Sequence, residues 1–355
     1  MEYWGKIMIP KVTVIVPVYN AEKHLNNAVD SIISQTFGFE NIELILVDDK
    51  STDGSGDIIR DYQNKYDNIK GIFLEKNTGF PGGPRNVGID NATAPYLVFM
   101  DNDDYYLPEA IELYYSTMEK EGCDFLMSSH YHGNGEKLTK INYINTDERI
   151  VNLNPLESQR NFDVLSVNHV APWSKMWRKD FIIKNDIRFL DDCLCEDTFF
   201  YFKALINAGK VTVLPNDVCY VYNIFDDSTI HNHSKKMFDN YFEGIKRTVD
   251  VLMDVELSKR VMLNENISGV LLVFSNLSKE DKKVAIKEIY DFETNLDHEI
   301  VFNRKEIGFL NNLILNRHFF LASKVAGFYR FLYNNKFIFS LYRLRSNIIN
   351  NNKVD

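Results

Sequence analysis

Asp101, Asn102, Asp103 and Asp104 follow directly on the apolar run Tyr96-Leu97-Val98-Phe99-Met100. Such a run reads as a buried strand, and its abrupt polar end would crowd three carboxylates onto one short turn. Carboxylates so close together repel unless a cation neutralises them, so the turn reads as an oxygen cage for Mn²⁺ or Mg²⁺. An ion held by one or two carboxylates completes its shell with water and phosphate, which makes a diphosphate the natural ligand. The competing reading is an acidic turn that caps a helix starting near Pro108. A second acidic pair, Glu196-Asp197, opens the helical stretch Thr198 to Asn207 and therefore stands at a helix N-terminus. There it is either a first-turn charge or, given the aspartates upstream, the seat of a general base at Asp197.

These residues need a frame that holds them at one edge. From Lys11 to about Tyr96 short β-branched runs alternate with amphipathic stretches, the pattern of strand-helix-strand units in a mostly parallel sheet. The spacing predicts a strand over Val12 to Val16 stopped by Pro17, and an Asn20 cap. It also predicts a helix over Glu22 to Gln35 that buries Leu25, Ala28, Val29 and Ile32, and a second strand over Ile42 to Val47. Asp48-Asp49 ends that strand, Ser51 to Ser55 reads as a capped helix start, and Gly71 to Glu75 reads as a third strand. In open parallel sheets ligands bind beyond the carboxyl ends of the strands, so Pro17, Tyr19, Asp49 and Asp101 are candidates by position. The stretch Asn77 to Gly88 reads as a glycine- and proline-rich loop that approaches a ligand, with Arg85 as a cationic fork for a nucleotide or phosphate, or else as a plain connector. Gly54-Ser55-Gly56 follows a polar turn in the wrong spacing for a dinucleotide fingerprint, and no Walker-type loop occurs.

A chain of 355 residues can bury a sizeable core and predicts two units, residues 10–234 and a helical region over 235–355. Its net charge of −10 argues against nucleic acid as a partner, because polyanion binding needs a dominant Lys/Arg surface. Cys123, Cys193, Cys195 and Cys219 show no zinc-type spacing and suit a reducing, cytoplasmic compartment. Met1 to Pro10 lacks the pattern of an export signal, and no uncharged apolar stretch approaches the roughly 20 residues of a membrane span. The Asn-x-Ser/Thr triplets at Asn91, Asn266 and Asn276 then read as chance matches. The tail Phe309 to Arg345 mixes aromatic and aliphatic residues with Arg317, Lys324, Arg330, Lys336, Arg343 and Arg345. It reads either as an amphipathic helix lying on the inner, anionic face of a membrane or as one that packs on the catalytic domain or a second subunit.

The order Val-Pro-Val-Tyr-Asn, Val-Asp-Asp-x-Ser-Thr-Asp-Gly-Ser, Pro-Arg-Asn-x-Gly, Asp-Asn-Asp-Asp and Glu-Asp, spread over residues 11–234, resembles the family 2 glycosyltransferases. These are inverting enzymes with the GT-A fold, a Rossmann-like α/β sheet flanked by helices. Within that family the segments Asn77 to Gly88 and Phe225 to Ser234 look most like wall teichoic acid and capsular polysaccharide transferases that use UDP-sugars, often UDP-N-acetylglucosamine. The resemblance implies that Pro17 and Tyr19 pack against uridine, that Asp49 accepts from the uracil N3–H, and that Asn77 and Arg85 contact the base. It further implies that Asp101, with Asn102, meets ribose or metal-bound water and that Asp103 ligates Mn²⁺ or Mg²⁺. Asp197 would be the catalytic base, and Glu196 would orient the acceptor, a glycan, polyol-phosphate or glycolipid hydroxyl. Many relatives carry an Arg or His before a Ser-rich lid after the last core strand. Here His231, His233 and Asp226 are alternatives for that diphosphate or metal contact, with Ser228 and Thr229 closing over it. Two rivals share the fold. A sugar-nucleotide pyrophosphorylase needs a glycine-rich triphosphate loop where Val16 to Asn20 stands, and a non-catalytic carbohydrate-binding protein has no need of both Asp103 and Asp197.

Overall fold

The computed structural model describes residues 9–134, 137–141, 150–166, 170–224, 234–253, 255, 274, 277–295, 313–314, 316–319 and 321–322. The segment 225–233, with Asp226, Ser228, Thr229, His231 and His233, lies outside the described residues, as do most of the expected helix 261–277 and most of the basic tail. The chain divides into two units, Met1–Thr229 with Lys246–Ser258, and Ile230–Ile245 with Lys259–Asp355.

The first unit is built on a mixed sheet. Its elements run β1 (Val12–Val18), α1 (Leu25–Ile33), β2 (Ile42–Asp48), α2 (Ser55–Lys65), β3 (Ile69–Phe73), α3 (Gly82–Asn91) and β4 (Tyr96–Phe99). There follow β5 (Tyr105–Tyr106), α4 (Ala110–Glu121), β6 (Phe125–Asn134), β7 (Lys137–Ile141), β8 (Ile150–Leu153) and α5 (Gln159–Ser166). The unit continues with β9 (Lys175–Arg178), α6 (Lys179–Lys184), α7 (Glu196–Asn207) and β10 (Val211–Asn223). The strand order is β3-β2-β1-β4-β9-β6-β10-β5, with β7 on β6 and β8 on β10. Strands β3, β2, β1 and β4 are mutually parallel, as are β6 and β10, and the short β9 runs antiparallel between β4 and β6 to join the two parallel groups.

The expected pattern reappears with three local differences. Helix α1 does bury Leu25, Ala28, Val29 and Ile32, because a 3.6-residue period puts those positions on one stripe. Asn20, however, does not cap it. Asn20 adopts a left-handed backbone at φ 50°, and its side chain accepts from the Thr52 amide at 2.8 Å, which ties the β1 loop to the β2 loop. Pro17 does not stop β1 but lies within it, opposite Val47 of β2. The proline is tolerated because β4 ends its pairing at Ile15↔Phe99. The missing N–H therefore faces no ladder partner, and the Pro17 carbonyl on that side accepts from Asn102 Nδ2 at 2.9 Å.

The third difference is α3, which begins inside the stretch expected to be a loop. Pro84 falls in the first turn, where a helix amide has no intrahelical partner to lose. The glycines serve close packing of this chain on itself: a Cβ at Gly82 would stand 1.8 Å from the Leu190 carbonyl oxygen, and one at Gly88 would stand 2.3 Å from Ile15 Cγ2.

In the C-terminal part α8 (Lys235–Met253) buries Phe238, Phe242, Ile245, Val249 and Leu252 on one stripe. A further helix, α9 (Lys279–Thr294), starts at a Ser278 cap whose hydroxyl accepts from the Asp281 amide. Phe242 and Phe292 meet edge to face with centroids 5.3 Å apart. No helix among the described residues is long and apolar enough to cross a membrane.

Candidate active site

Two loops at the carboxyl edge of β1 and β2 are wired to each other before any ligand arrives. Asn20 and Lys50 both have left-handed backbones. The Asn20 amide donates to Ser51 Oγ at 2.9 Å and the Ala21 amide to Ser55 Oγ at 2.8 Å. Ser51 to Ser55 therefore does more than start α2. The Asp49 amide donates to the Val18 carbonyl at 2.8 Å, and Tyr19 follows Val18 with its ring half in solvent, at 50% exposure. Asp49 is itself buried. Its carboxylate accepts from the Thr78 amide at 2.8 Å and the Thr78 hydroxyl at 2.9 Å, while Asn77 Nδ2 donates to the Asp49 carbonyl at 2.8 Å. Pro17, Tyr19, Asp49 and Asn77 are thus gathered at one corner, and Asn102 is attached to it through Pro17. Thr78, which the sequence did not single out, is what orients Asp49.

The acidic turn does not present three equivalent carboxylates. Asp104 is fully buried and faces β10, where Oδ2 accepts from the Tyr220 hydroxyl at 2.6 Å and Oδ1 from the Asn223 amide at 2.7 Å. Tyr220 Oη also accepts from the Asp101 amide at 3.1 Å, and Asn223 Nδ2 donates to the Asp103 carbonyl at 2.7 Å. Asp104 is therefore a structural clamp, and the cage expected of three carboxylates reduces to Asp101 and Asp103. Burial, and the charge of Asp101 behind it, pushes the Asp103 carboxyl up to about 6. That is a group whose ionised form a cation would stabilise. Among the described residues no group of three or more His, Cys, Asp or Glu side chains could hold a metal alone. Two carboxylates fit Mn²⁺ or Mg²⁺ that shares its shell with phosphate and water, because these ions take few protein ligands.

Arg85 is placed otherwise than expected. It sits in the first turns of α3 with 4% exposure. Nη2 donates to Asp101 Oδ1 at 2.7 Å and Nη1 to Glu196 Oε1 at 2.9 Å, and the guanidinium lies 5.3 Å from the centre of the Phe189 ring. A fork expected at the nucleobase instead spans the acidic turn and the start of α7, since the helical geometry of Gly82–Asn91 turns position 85 toward the end of β4. Glu196 is correspondingly committed to Arg85 rather than open to an acceptor.

Helix α7 is launched by Cys195, a buried residue with a left-handed backbone at φ 63°. Asp197, in the first helical turn, is half-buried, and its Oδ1 accepts from its neighbour's amide, Thr198 N, at 2.6 Å. Burial raises the Asp197 carboxyl above its ordinary value, against the pull of Arg85 and the Thr198 amide. Glu196 is raised by burial and by Asp197 beside it, again opposed by Arg85. A carboxylate with one spare oxygen and a raised proton affinity is suited to take a proton from a hydroxyl. Across the sheet, Trp173 stacks on Tyr220 with centroids 4.6 Å apart and on Tyr222 at 5.4 Å, an aromatic wall behind the Asp104 clamp.

Comparison with known proteins places the chain in a family and shows its fold. The family model described as "Glycosyl transferase family 2" matches residues 13–185. A Haemophilus influenzae protein named as an uncharacterized glycosyltransferase is 31% identical over 232 residues, which cover 61% of this chain and 88% of that protein. A poly(ribitol-phosphate) beta-glucosyltransferase of Bacillus spizizenii is 28% identical over 71% of this chain. The poly(ribitol-phosphate) beta-N-acetylglucosaminyltransferase TarS of Staphylococcus aureus is 33% identical over 60% of it. The chain spans only 39% and 35% of the lengths of these last two proteins. The crystal structure of S. aureus TarS 1-349 in complex with UDP-GlcNAc superposes with a TM-score of 0.71 at 23% identity, covering 90% of this chain and 91% of that one, and so shares the fold.

Proposed function

The chain belongs to glycosyl transferase family 2, and on that premise we propose that it is an inverting hexosyltransferase. In this reading it moves a sugar from UDP-N-acetylglucosamine or another UDP-hexose to a hydroxyl of a cell-surface polysaccharide, teichoic-acid-like polymer or glycolipid. The observation that carries the reading is the bridge of Arg85, 2.7 Å from Asp101 and 2.9 Å from Glu196. One guanidinium thereby joins the turn suited to a diphosphate to the helix start that bears the base. The relatives that act on poly(ribitol-phosphate), and the UDP-GlcNAc complex of a protein with the same fold, support the choice of donor and acceptor class.

In this mechanism Tyr19 stacks on the uracil, and Asp49, held rigid by Thr78, reads the base. Asp101 and Asp103 are the residues that would hold Mn²⁺ or Mg²⁺. When bound, the ion neutralises charge on the diphosphate. Asp197 takes the proton of the acceptor hydroxyl as that oxygen forms its bond to the anomeric carbon. The bond from that carbon to the diphosphate oxygen breaks on the opposite face, its electron pair leaves with UDP, and the configuration inverts. Arg85 fixes the distance between the two carboxylate groups and supplies positive charge at the leaving side.

The test is release of UDP from a panel of UDP-sugars, with and without Mn²⁺, in the presence and absence of a poly(ribitol-phosphate) acceptor. The expected result is metal-stimulated release from one UDP-hexose that accelerates with acceptor. No UDP binding and no release across the panel would overturn the assignment.

A further inference from the structure

Helix α3 meets the loop that leads from α6 to α7 along one stripe. Gly82, Asn86 and Asp90 stand four residues apart, so their positions stack on a single helical face. The loop crosses that face in the opposite direction, one residue to each step. Arg188 Nη2 donates to Asp90 Oδ1 at 3.0 Å. The Phe189 amide donates to Asn86 Oδ1, and Asn86 Nδ2 donates to the Phe189 carbonyl, both at 2.9 Å. The Leu190 carbonyl oxygen lies against the bare Cα of Gly82, 1.8 Å from where a Cβ would stand. The three contacts are not equal. Gly82 supplies clearance rather than attraction, and the Arg188–Asp90 pair is exposed enough, with Asp90 at 61%, to contribute little. Asn86 spends both ends of its amide on one backbone residue, so it is the contact that fixes the register of the loop.

The residue held in this way ties the site together. Phe189 is buried, and its ring stacks on Phe200 of α7 with centroids 4.0 Å apart and 7° between the planes. It also meets Phe99, the last residue of β4, edge to face at 5.2 Å, and Phe200 meets Phe99 in the same manner at 5.6 Å. Three rings therefore join the strand that ends in the acidic turn to the helix that begins with Glu196 and Asp197. Arg85 lies over the Phe189 ring, 5.3 Å from its centre and within cation–π range. Its Nε is buried and donates to no acceptor among the described residues, and the electron-rich face of a ring is a compensating partner for such a cation. Arg85 and Asn86 are neighbours in the chain. One turn of α3 thus bonds the two acidic groups with one side chain and holds the support of that side chain with the next.

We propose that Asn86 is a positioning residue for the transfer: its paired hydrogen bonds to Phe189 set the ring that carries Arg85, and so keep the Arg85 fork on Asp101 and Glu196. It acts through Arg85 and touches neither donor nor acceptor. The inference rests on the transfer reading above, and a parent chain that neither binds UDP nor releases it from any UDP-sugar would overturn that reading first. Transfer is measured for the full chain, Asn86→Ala, Phe189→Leu and the double variant, with UDP affinity by calorimetry. Asn86→Ala is expected to lower kcat about tenfold, a fraction of the roughly 10²-fold that a 1 Å misplacement costs. Donor KM and UDP affinity should stay within about twofold, because the uridine corner at Tyr19 and Asp49 is built by other residues. Since Asn86 works through the ring, Phe189→Leu should lower kcat as well, and the double variant should be no worse than the poorer single one. An unchanged kcat in Asn86→Ala, or losses that multiply in the double variant, would overturn the proposal. Should Asn86→Ala not fold, Asn86→Asp carries the test through pH. Ionised, that carboxylate has no proton to give the Phe189 carbonyl; protonated, it regains the donor. Its kcat relative to the parent is expected to rise as pH falls through the titration of the new carboxyl, and a ratio independent of pH would overturn the proposal.

Discussion

The two acidic groups of the site are held in opposite ways. At the Asp101–Asp104 turn each carboxylate faces a different partner: Asp104 is clamped by Tyr220 and Asn223, Asp101 shares Arg85, and Asp103 keeps a raised proton affinity. At Glu196-Asp197 both carboxylates sit against α7, and buried Arg85 bonds Glu196 and pulls on Asp197. The first group is open on one side and is short of positive charge. The second is closed at Glu196 and half-buried at Asp197, and both carboxyls stay raised even with Arg85 beside them. A ligand that brings its own cation suits the first, whereas a group that must hold and release one proton suits the second. What a carboxylate can do is thus decided by the donors already spent on it, and not by how many carboxylates adjoin in the chain.

The sharpest way to break that comparison is Asp197→Asn. If the closed group handles the acceptor's proton and the open one the donor, transfer should fall by about 10²–10⁴-fold, the usual worth of a general base. UDP affinity measured by calorimetry should stay within about twofold. A matching loss of UDP affinity would move Asp197 to the donor side and erase the distinction. Next in size is Arg85→Met. Removing one partner of a buried pair leaves an uncompensated charge, at a cost of about 3–5 kcal/mol in urea unfolding. Because Glu196 is sealed while the Asp101 side chain is 27% exposed, adding Glu196→Gln should recover more of that loss than adding Asp101→Asn. The reverse order of rescue would mean that the turn, not the helix start, is the closed group.

These expectations mark how far the residues could be read without the fold. The β1 and β2 runs, the α1 stripe and the placement of Asp49 and Asp101 at strand ends were legible, because burial imposes a period on local sequence. Three things were not. Asn77 to Gly88 looks like a loop because glycine and proline are poor helix formers, but the glycines answer to Leu190 and Ile15, which lie 108 residues ahead of Gly82 and 73 behind Gly88. Asp104 looks like its neighbours until Tyr220 and Asn223 arrive from β10. Lys175 lies in a mostly apolar patch, Val170 to Trp177, and only the antiparallel insertion of β9 brings it to Tyr201 of α7. Each miss is a contact between residues far apart in sequence, where local pattern carries no signal.

A smaller effect tests the charge state of the closed group. Glu196 is pushed up to about 7 from an ordinary 4.5, chiefly by burial. The folded protein then keeps a proton that the unfolded chain has released between those values, so this group favours folding most at low pH. Its contribution is lost as pH rises from about 4.5 to about 7, and is flat above. Glu196→Gln should remove that decline in the urea midpoint. If the decline survives, it belongs to Asp103, raised to about 6, and the open turn is the group that holds the extra proton.

The smallest effect lies at the rim, where the comparison meets the nucleotide. Tyr19 keeps 50% of its surface exposed, yet its backbone is fixed from both sides, by Val18 bonding the Asp49 amide and by Asn20 bonding Ser51 and Thr52. A ring held ready in this way loses little entropy on stacking, so its worth to the base should be the modest stacking term alone. Tyr19→Ala is expected to weaken UDP by about 1 kcal/mol, roughly fivefold, with kcat at saturating donor unchanged. Because stacking is indifferent to the metal, the ratio of UDP affinities with and without Mn²⁺ should be the same in Tyr19→Ala as in the parent. A ratio that collapses in this variant would show that the rim and the acidic turn bind as one unit, and that the donor side is less divided from its cation than the geometry of Asp101 and Asp103 implies.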